Sequence, residues 1–160
     1  MKLNLLKFKE DDFDYYYQLV SNDRVMSQIT ERAIPYEEAK TNFQKLVTYN
    51  KKNNNYGSYK ISIDLDQKFI GLAHLTLNEK QPNEAEIGYM ILPKYWGRGY
   101  GTGVANQLIE IASRLGLEKI QAIIDPENVA SRKILSNQGF ISEIVCEIDG
   151  LPGEILSKKL

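Results

Sequence analysis

Apolar residues recur at two spacings along the chain, and each change of spacing marks a new element. "KLNLLKF" near the N-terminus reads as a first strand. Phe13, Tyr16, Tyr17 and Val20 then fall at i, i+3, i+4 and i+7, the stripe of an amphipathic helix. Pro35 opens a second helix whose stripe is Ala39, Phe43, Leu46 and Val47. The segment from Lys51 to Ser58, "KKNNNYGS", is the most polar in the chain and predicts a loop. Beyond it the period drops to two: Tyr59, Ile61, Ile63 and Leu65 alternate with polar residues. "DQK" predicts a turn, after which "FIGLAHLTLN" returns as the second strand of a hairpin. "EIGYMIL" (Glu86 to Leu92) is apolar on both faces, as in a strand covered on two sides. Val104, Leu108, Ile111, Ala112 and Leu115 mark a helix closed by Gly116. "KIQAIID" predicts a strand, and "PENVASRKILSNQ" a helix capped by Asp125 or Asn128, with Pro126 near its first turn and Gly139 at its end. "FISEIVCEI" and "EILSKKL" close the chain as two strands around "DGLPG". The order is β-α-α-β-β-β-α-β-α-β-β, a mixed α/β domain with a β-α-β crossover at its centre.

Composition narrows the function. A chain of 160 residues with 42% apolar content reads as one domain, residues 1–160, that needs no staples for its core. Twenty basic residues face 21 acidic ones, so the basic excess expected of a nucleic-acid partner is missing. Cys146 is the sole cysteine and His74 the sole histidine, which excludes an internal disulfide and a soft-metal cluster, so no metal is expected. "MKLNLLKFKEDD" lacks the apolar run of a signal peptide, and no stretch has the ~20 apolar residues of a membrane span. The expectation is a cytoplasmic protein with no membrane partner.

The chemistry concentrates in "PKYWGRGYGTGVANQL", Pro93 to Leu108, which puts four glycines in seven positions at the mouth of a helix. A helix N-terminus offers unpaired N–H groups and partial positive charge, and glycines let an anion approach the backbone. Arg98 adds a charged donor, so a diphosphate is the natural guest. A Walker loop fails for want of Lys before Ser or Thr, and the dinucleotide pattern G-x-G-x-x-G fails in both registers, with Thr102 or Val104 at the last position. The alternative is a tight strand-to-helix turn without a ligand.

The residues "RGYGTG" (Arg98 to Gly103) resemble the Q/R-x-x-G-x-G/A loop of the GNAT superfamily of N-acetyltransferases. The wider "IGYMILPKYWGRGYGTG" is similar to the RimJ/RimL branch, which acetylates ribosomal-protein N-termini, although that branch often has Glu where Gly103 stands. "IDPENVASRKILSNQGF" (Ile124 to Phe140) resembles the branch's second strand–helix unit, and the order of elements agrees along nearly the whole chain.

The resemblance implies the acyl-CoA N-acyltransferase (GNAT) fold, with a central mixed sheet splayed between its fourth and fifth strands. It implies acetyl-CoA as co-substrate, its diphosphate held by backbone N–H groups of Arg98, Gly99, Tyr100, Gly101, Thr102 and Gly103. The pantetheine arm would pair with the strand edge at Met90, Ile91 and Leu92, with Asn128 bonding the arm and Ser131 near the sulfur. Direct attack by an amine needs a base, an oxyanion donor and a proton for the leaving thiolate. Glu86 is the favoured base, acting through water, with Glu147 a rival; either is also an ordinary solvated strand residue. A backbone N–H near Ile91 would serve the oxyanion, and Ser131 the thiolate, with Tyr89 a further donor. His74 reads as a packed, hydrogen-bonded strand residue, Cys146 as a buried thiol outside any motif, and Trp96 as loop packing. The acceptor is an amine, either a protein N-terminus or a small amine such as a polyamine or antibiotic. "SNDRVMSQITERAIPY" and "CEIDGLPG" would form the lips of its site. Two other readings stay open: an acyl-CoA-binding sensor without catalysis, and a nucleotide-phosphate protein of another kind. Oligomeric state is undecided; the tyrosine-rich first helix is a place where a homodimer would meet.

Overall fold

The computed structural model describes residues 3–160. Its strands are β1 (Leu3–Lys7), β2 (Gly57–Ile63), β3 (Lys68–Leu77), β4 (Glu84–Ile91), β5 (Lys119–Ile124), β6 (Ile141–Ile148) and β7 (Leu151–Lys159). Its helices are α1 (Phe13–Val20), α2 (Asp23–Met26), α3 (Tyr36–Lys52), α4 (Tyr100–Arg114) and α5 (Val129–Asn137). The strands form one seven-stranded sheet in the order β1-β2-β3-β4-β5-β7-β6. Every pairing is antiparallel except β4 with β5, where α4 supplies the crossover that a parallel pair requires.

The predicted order of elements holds, with two local differences. The segment "SNDRVM", to which the apolar spacing assigned no element, contains the one-turn helix α2, because the Asn22 side chain accepts from the N–H groups of Arg24 (2.9 Å) and Val25 (3.1 Å). The loop predicted from Lys51 is shorter, since α3 runs on to Lys52 and β2 begins at Gly57. Buried Asn50 explains the tightness: its amide donates to Phe8 O and Ser58 O and accepts from Ser58 N–H, stitching α3 to the first two strands.

Side chains of β3 and β4 alternate between two faces. Ala73, Leu75, Ile87, Tyr89 and Ile91 share the face covered by α4, whose buried stripe is Val104, Ala105, Leu108 and Ala112. Leu72, His74, Glu86, Gly88 and Met90 point to the opposite face, where α1 and α3 pack. Phe8, Tyr16 and Phe43 fill that second layer, Phe8 meeting both other rings edge to face, with Phe8 and Phe43 centroids 6.0 Å apart. Of the three consecutive tyrosines, Tyr16 is core and Tyr15 is exposed. The α5 helix is tied to β7 by Arg132, whose guanidinium donates to buried Glu154 at 2.7 and 3.0 Å and to the carbonyl of Pro126. This clamp fixes the start of α5 beside β5. Among the described residues no helix is long and apolar enough to cross a membrane.

Candidate functional site: a cleft where two parallel strands part

The β4–β5 ladder has four pairs, from Glu84–Lys119 to Ile87–Ala122, and then stops although β4 continues to Ile91. Beyond the stop, β5 stays paired with β7 and β4 with β3. The strands therefore diverge as the resemblance implied. The alternation of backbone groups decides which amides this leaves free. Leu92 N–H donates to Ile70 O at 2.8 Å, and Glu84 O accepts from Asn78 N–H at 3.0 Å, so even-numbered residues of β4 face β3. Tyr89 and Ile91 consequently turn their N–H groups into the gap, where β5 offers no partner. The carbonyl of Ile91 is taken by the Trp96 indole N–H at 2.7 Å.

This corrects one expectation: Met90 and Leu92 have spent their backbone groups on β3, and Tyr89 joins Ile91 as the free edge. The side chain of Met90 still lines the gap, whereas Leu92 is buried outside it.

The gap opens into a cleft of about 630 Å³. One wall is the start of α4. Gly99, at φ 84°, is its N-cap, a left-handed conformation that favours glycine, and no side chain caps the helix. The first amide engaged within the helix is Gly103 N–H, which donates to Gly99 O at 3.2 Å. Tyr100, Gly101 and Thr102 are left as the unpaired first turn, and all three line the cleft with Gly97 and Gly99. Gly101 also has a spatial reason to lack a side chain: a Cβ there would stand 2.9 Å from Ile134 Cδ1 and 3.6 Å from the Tyr89 ring. Two predicted diphosphate contacts are corrected. Gly103 uses its amide in the helix and packs on Leu3 of β1, and Arg98 lies outside the lining with its guanidinium 5.9 Å from the Tyr95 ring centre.

The facing wall is the start of α5. Asn128, not Asp125, is its cap: Asn128 Oδ1 accepts from Ser131 N–H at 3.1 Å, and Asp125 instead forms the preceding turn with Glu127 N–H. Asn128 and Ser131 both line the cleft. Between the walls stands Tyr89, whose hydroxyl is buried without a hydrogen bond of ordinary geometry, although the Ser131 side chain lies close enough to act on it. Burial pushes its pKa up against a weaker downward pull from Ser131, so it is a neutral phenol.

Glu86 sits on β4 three residues before Tyr89, where the free edge begins, on the face away from α4, and outside the lining of the cleft. Burial raises its pKa. Its neighbour His74 lies against Gly88, with Nε2 3.8 Å from Glu86 and Nδ1 3.1 Å from the Thr76 hydroxyl. Burial pushes His74 down to about 4, so the imidazole is neutral and lends Glu86 no opposing charge. Glu147 is corrected: it is exposed on the edge strand β6, separated from the gap by β7 and β5, because its pairing with Pro152 puts it at the far end of the terminal hairpin. That hairpin turn, expected to form a lip, is absent from the lining, and Arg24, Val25, Gln28 and Ile29 from α2 and its sequel form the mouth instead. Trp96 does more than pack its loop, since its fixed indole is part of that mouth. Cys146 is half-buried on β6, away from the cleft. Among the described residues no cluster of three His, Cys, Asp or Glu could hold a metal ion.

A family model described as an acetyltransferase (GNAT) domain matches residues 2–141. A spermidine N(1)-acetyltransferase of Escherichia coli (strain K12) is 28% identical over 143 residues, 88% of this chain and 74% of that protein. The uncharacterized N-acetyltransferase p20 of Bacillus licheniformis is 29% identical over 86 residues, and the match spans about half of each protein, 53% of this chain and 48% of p20. In structure, a spermidine N-acetyltransferase from Vibrio cholerae in complex with CoA and spermine superposes with a TM-score of 0.81 at 21% identity, over 98% of this chain and 95% of that one.

Proposed function

The chain belongs to the acetyltransferase (GNAT) family, and we propose that it moves the acetyl group of acetyl-CoA onto a primary amine by direct attack. The observation that carries this is the interrupted β4–β5 ladder opening beside the uncapped start of α4. A parted parallel pair with unmet amides and an under-bonded phenol is costly unless a ligand with alternating donors and acceptors completes it. A pantetheine arm has that chemistry, and a diphosphate suits the first turn of α4. The residues present therefore fit coenzyme A: Tyr89 and Ile91 at the arm, Gly99 to Thr102 at the diphosphate, and Asn128, through the amide hydrogens its cap leaves free, at the arm's other side.

In this reading Glu86 takes the proton of the incoming ammonium through water, its raised pKa making it the stronger base. The amine nitrogen bonds to the acyl carbon as Ile91 N–H steadies the developing oxyanion. The carbon–sulfur bond breaks, the sulfur takes a proton from the Ser131 or Tyr89 hydroxyl, and that hydroxyl regains one from the attacking nitrogen, which carries a surplus proton once its bond to the acyl carbon has formed. Free coenzyme A and an N-acetyl amine result. The RimJ/RimL likeness of "IGYMILPKYWGRGYGTG" favours a protein N-terminus as acceptor, and the named relatives favour a small amine. The test is thiol release from acetyl-CoA with a panel of amines. Turnover that Glu86→Gln abolishes supports the assignment. Tight coenzyme A binding without release for any amine would make the protein a sensor.

A further inference from the structure

The mouth of the cleft on the α1–α3 side has a charge pattern that bears on the acceptor, given the acetyltransferase reading above. It is built from α2 and the residues after it. Val25 and Met26 anchor α2 in the core at 5% and 3% exposure, and this turns Arg24, Gln28 and Ile29 outward to the opening. The Arg24 guanidinium lies over Trp96, 5.1 Å from the ring centre, and among the described residues it makes no ion pair. Trp96 cannot swing away freely, because its indole N–H is bonded to Ile91 O at the point where the strands part. Ile29 and Met90 complete an apolar surround.

The charged side chains lining the cleft are Arg24 and, beside Asn128, Glu127. A polyamine carries two or more ammonium groups and needs carboxylates for those that do not react. Here the mouth presents a guanidinium. A guanidinium stacked on an aromatic ring and free of carboxylates keeps its donors for a planar anion, which it holds bidentately. We propose that the acceptor is a small amine that carries a carboxylate on an apolar body, an apolar α-amino acid in its simplest form. Arg24 receives the carboxylate, Trp96, Ile29 and Met90 receive the apolar part, and the amine reaches the end of β4. The same guanidinium could instead serve a phosphate of acetyl-CoA, and kinetics separates the two.

The experiment measures thiol release from acetyl-CoA with L-leucine, L-methionine and L-phenylalanine, with their carboxamides, and with spermidine, on the wild type and on Arg24→Met and Arg24→Lys. The expected result is turnover of the amino acids, with the carboxamides and spermidine at least ~10-fold poorer in kcat/KM, the low end for a charge-assisted hydrogen bond. Arg24→Met should lower kcat/KM for the amino acids by ~10- to 100-fold through KM. It should leave the carboxamide values and the KM for acetyl-CoA within about threefold, and Arg24→Lys should recover part of the loss as a single-point donor. Spermidine preferred over the amino acids, or Arg24→Met raising the KM for acetyl-CoA instead, overturns the acceptor assignment while the acetyltransferase reading stands. Absence of thiol release with every amine overturns both.

Discussion

Replacing Tyr89 with Phe separates the needs of the fold from those of the reaction. The Tyr89 hydroxyl is buried without a hydrogen bond of ordinary geometry, and its ring packs against the start of α4. Phe keeps the ring and removes the oxygen. A buried hydroxyl without a hydrogen bond costs ~1–3 kcal/mol, and the nearby Ser131 side chain offsets part of that, so the ligand-free variant should be more stable than the wild type by about 1 kcal/mol, the low end of that range. At this chain length each kcal/mol moves Tm by ~2–4 °C, well within the reach of differential scanning calorimetry. Coenzyme A should reverse the order. The wild type gains a hydrogen bond that the variant lacks, so the Tm increment produced by saturating coenzyme A should be smaller in Tyr89→Phe. Turnover should fall at least ~10-fold, less than the full ~10²–10⁴ of a lone proton donor, because Ser131 is adjacent. A variant that is less stable without ligand, or equally active, would show that the hydroxyl is satisfied within the fold and that the cleft is not waiting for a donor's partner.

Gly101→Ala should raise the KM for acetyl-CoA ~10- to 100-fold, the loss of about one charge-assisted contact, since the new Cβ meets Ile134 and displaces the first turn of α4; binding calorimetry checks this. In the wild type the acid limb of the kcat/KM profile should lie above the ordinary carboxylate value of 4.5, because burial raises the pKa of Glu86, and Glu86→Gln should remove turnover across the whole pH range. A raised carboxyl weakens folding as pH rises through its folded pKa, so Glu86→Gln should gain stability relative to wild type at neutral pH and lose that advantage below about 4.5, as urea titrations would show. For His74 the sign is opposite. Its pKa of about 4 lies below the usual 6.5, so the unfolded chain takes up a proton that the folded one refuses. Stability should therefore fall as pH drops from about 6.5 to 4, and His74→Gln should flatten that slope.

The order of strands and helices was legible in the sequence because it follows from periodicity, and the parting of the two central strands was what the resemblance carried by two extended motifs implied; which face of the sheet each helix covers was not legible, because it depends on strand register. The first-turn amides at Gly99 to Thr102 followed from glycines placed before a helix. The errors at Met90, Leu92 and Gly103 share one cause. A one-letter pattern names the residues at an edge but not the direction their backbone groups point, and that direction is set by register with β3 and by the helix's own first hydrogen bond. Glu147 failed for a topological reason, since the antiparallel insertion of β7 between β5 and β6 moves the last hairpin's turn away from the gap. The Arg24–Trp96 stack joins residues far apart in sequence, and no local signal announces it.

The most direct test is site-resolved amide hydrogen exchange, with and without saturating coenzyme A. Protection should appear at Tyr89, Ile91, Tyr100, Gly101 and Thr102 when the ligand is added, while Met90 and Leu92, already bonded to β3, exchange slowly in both states. Slow exchange at Tyr89 and Ile91 before any ligand is present, or no change on adding it, would contradict the account.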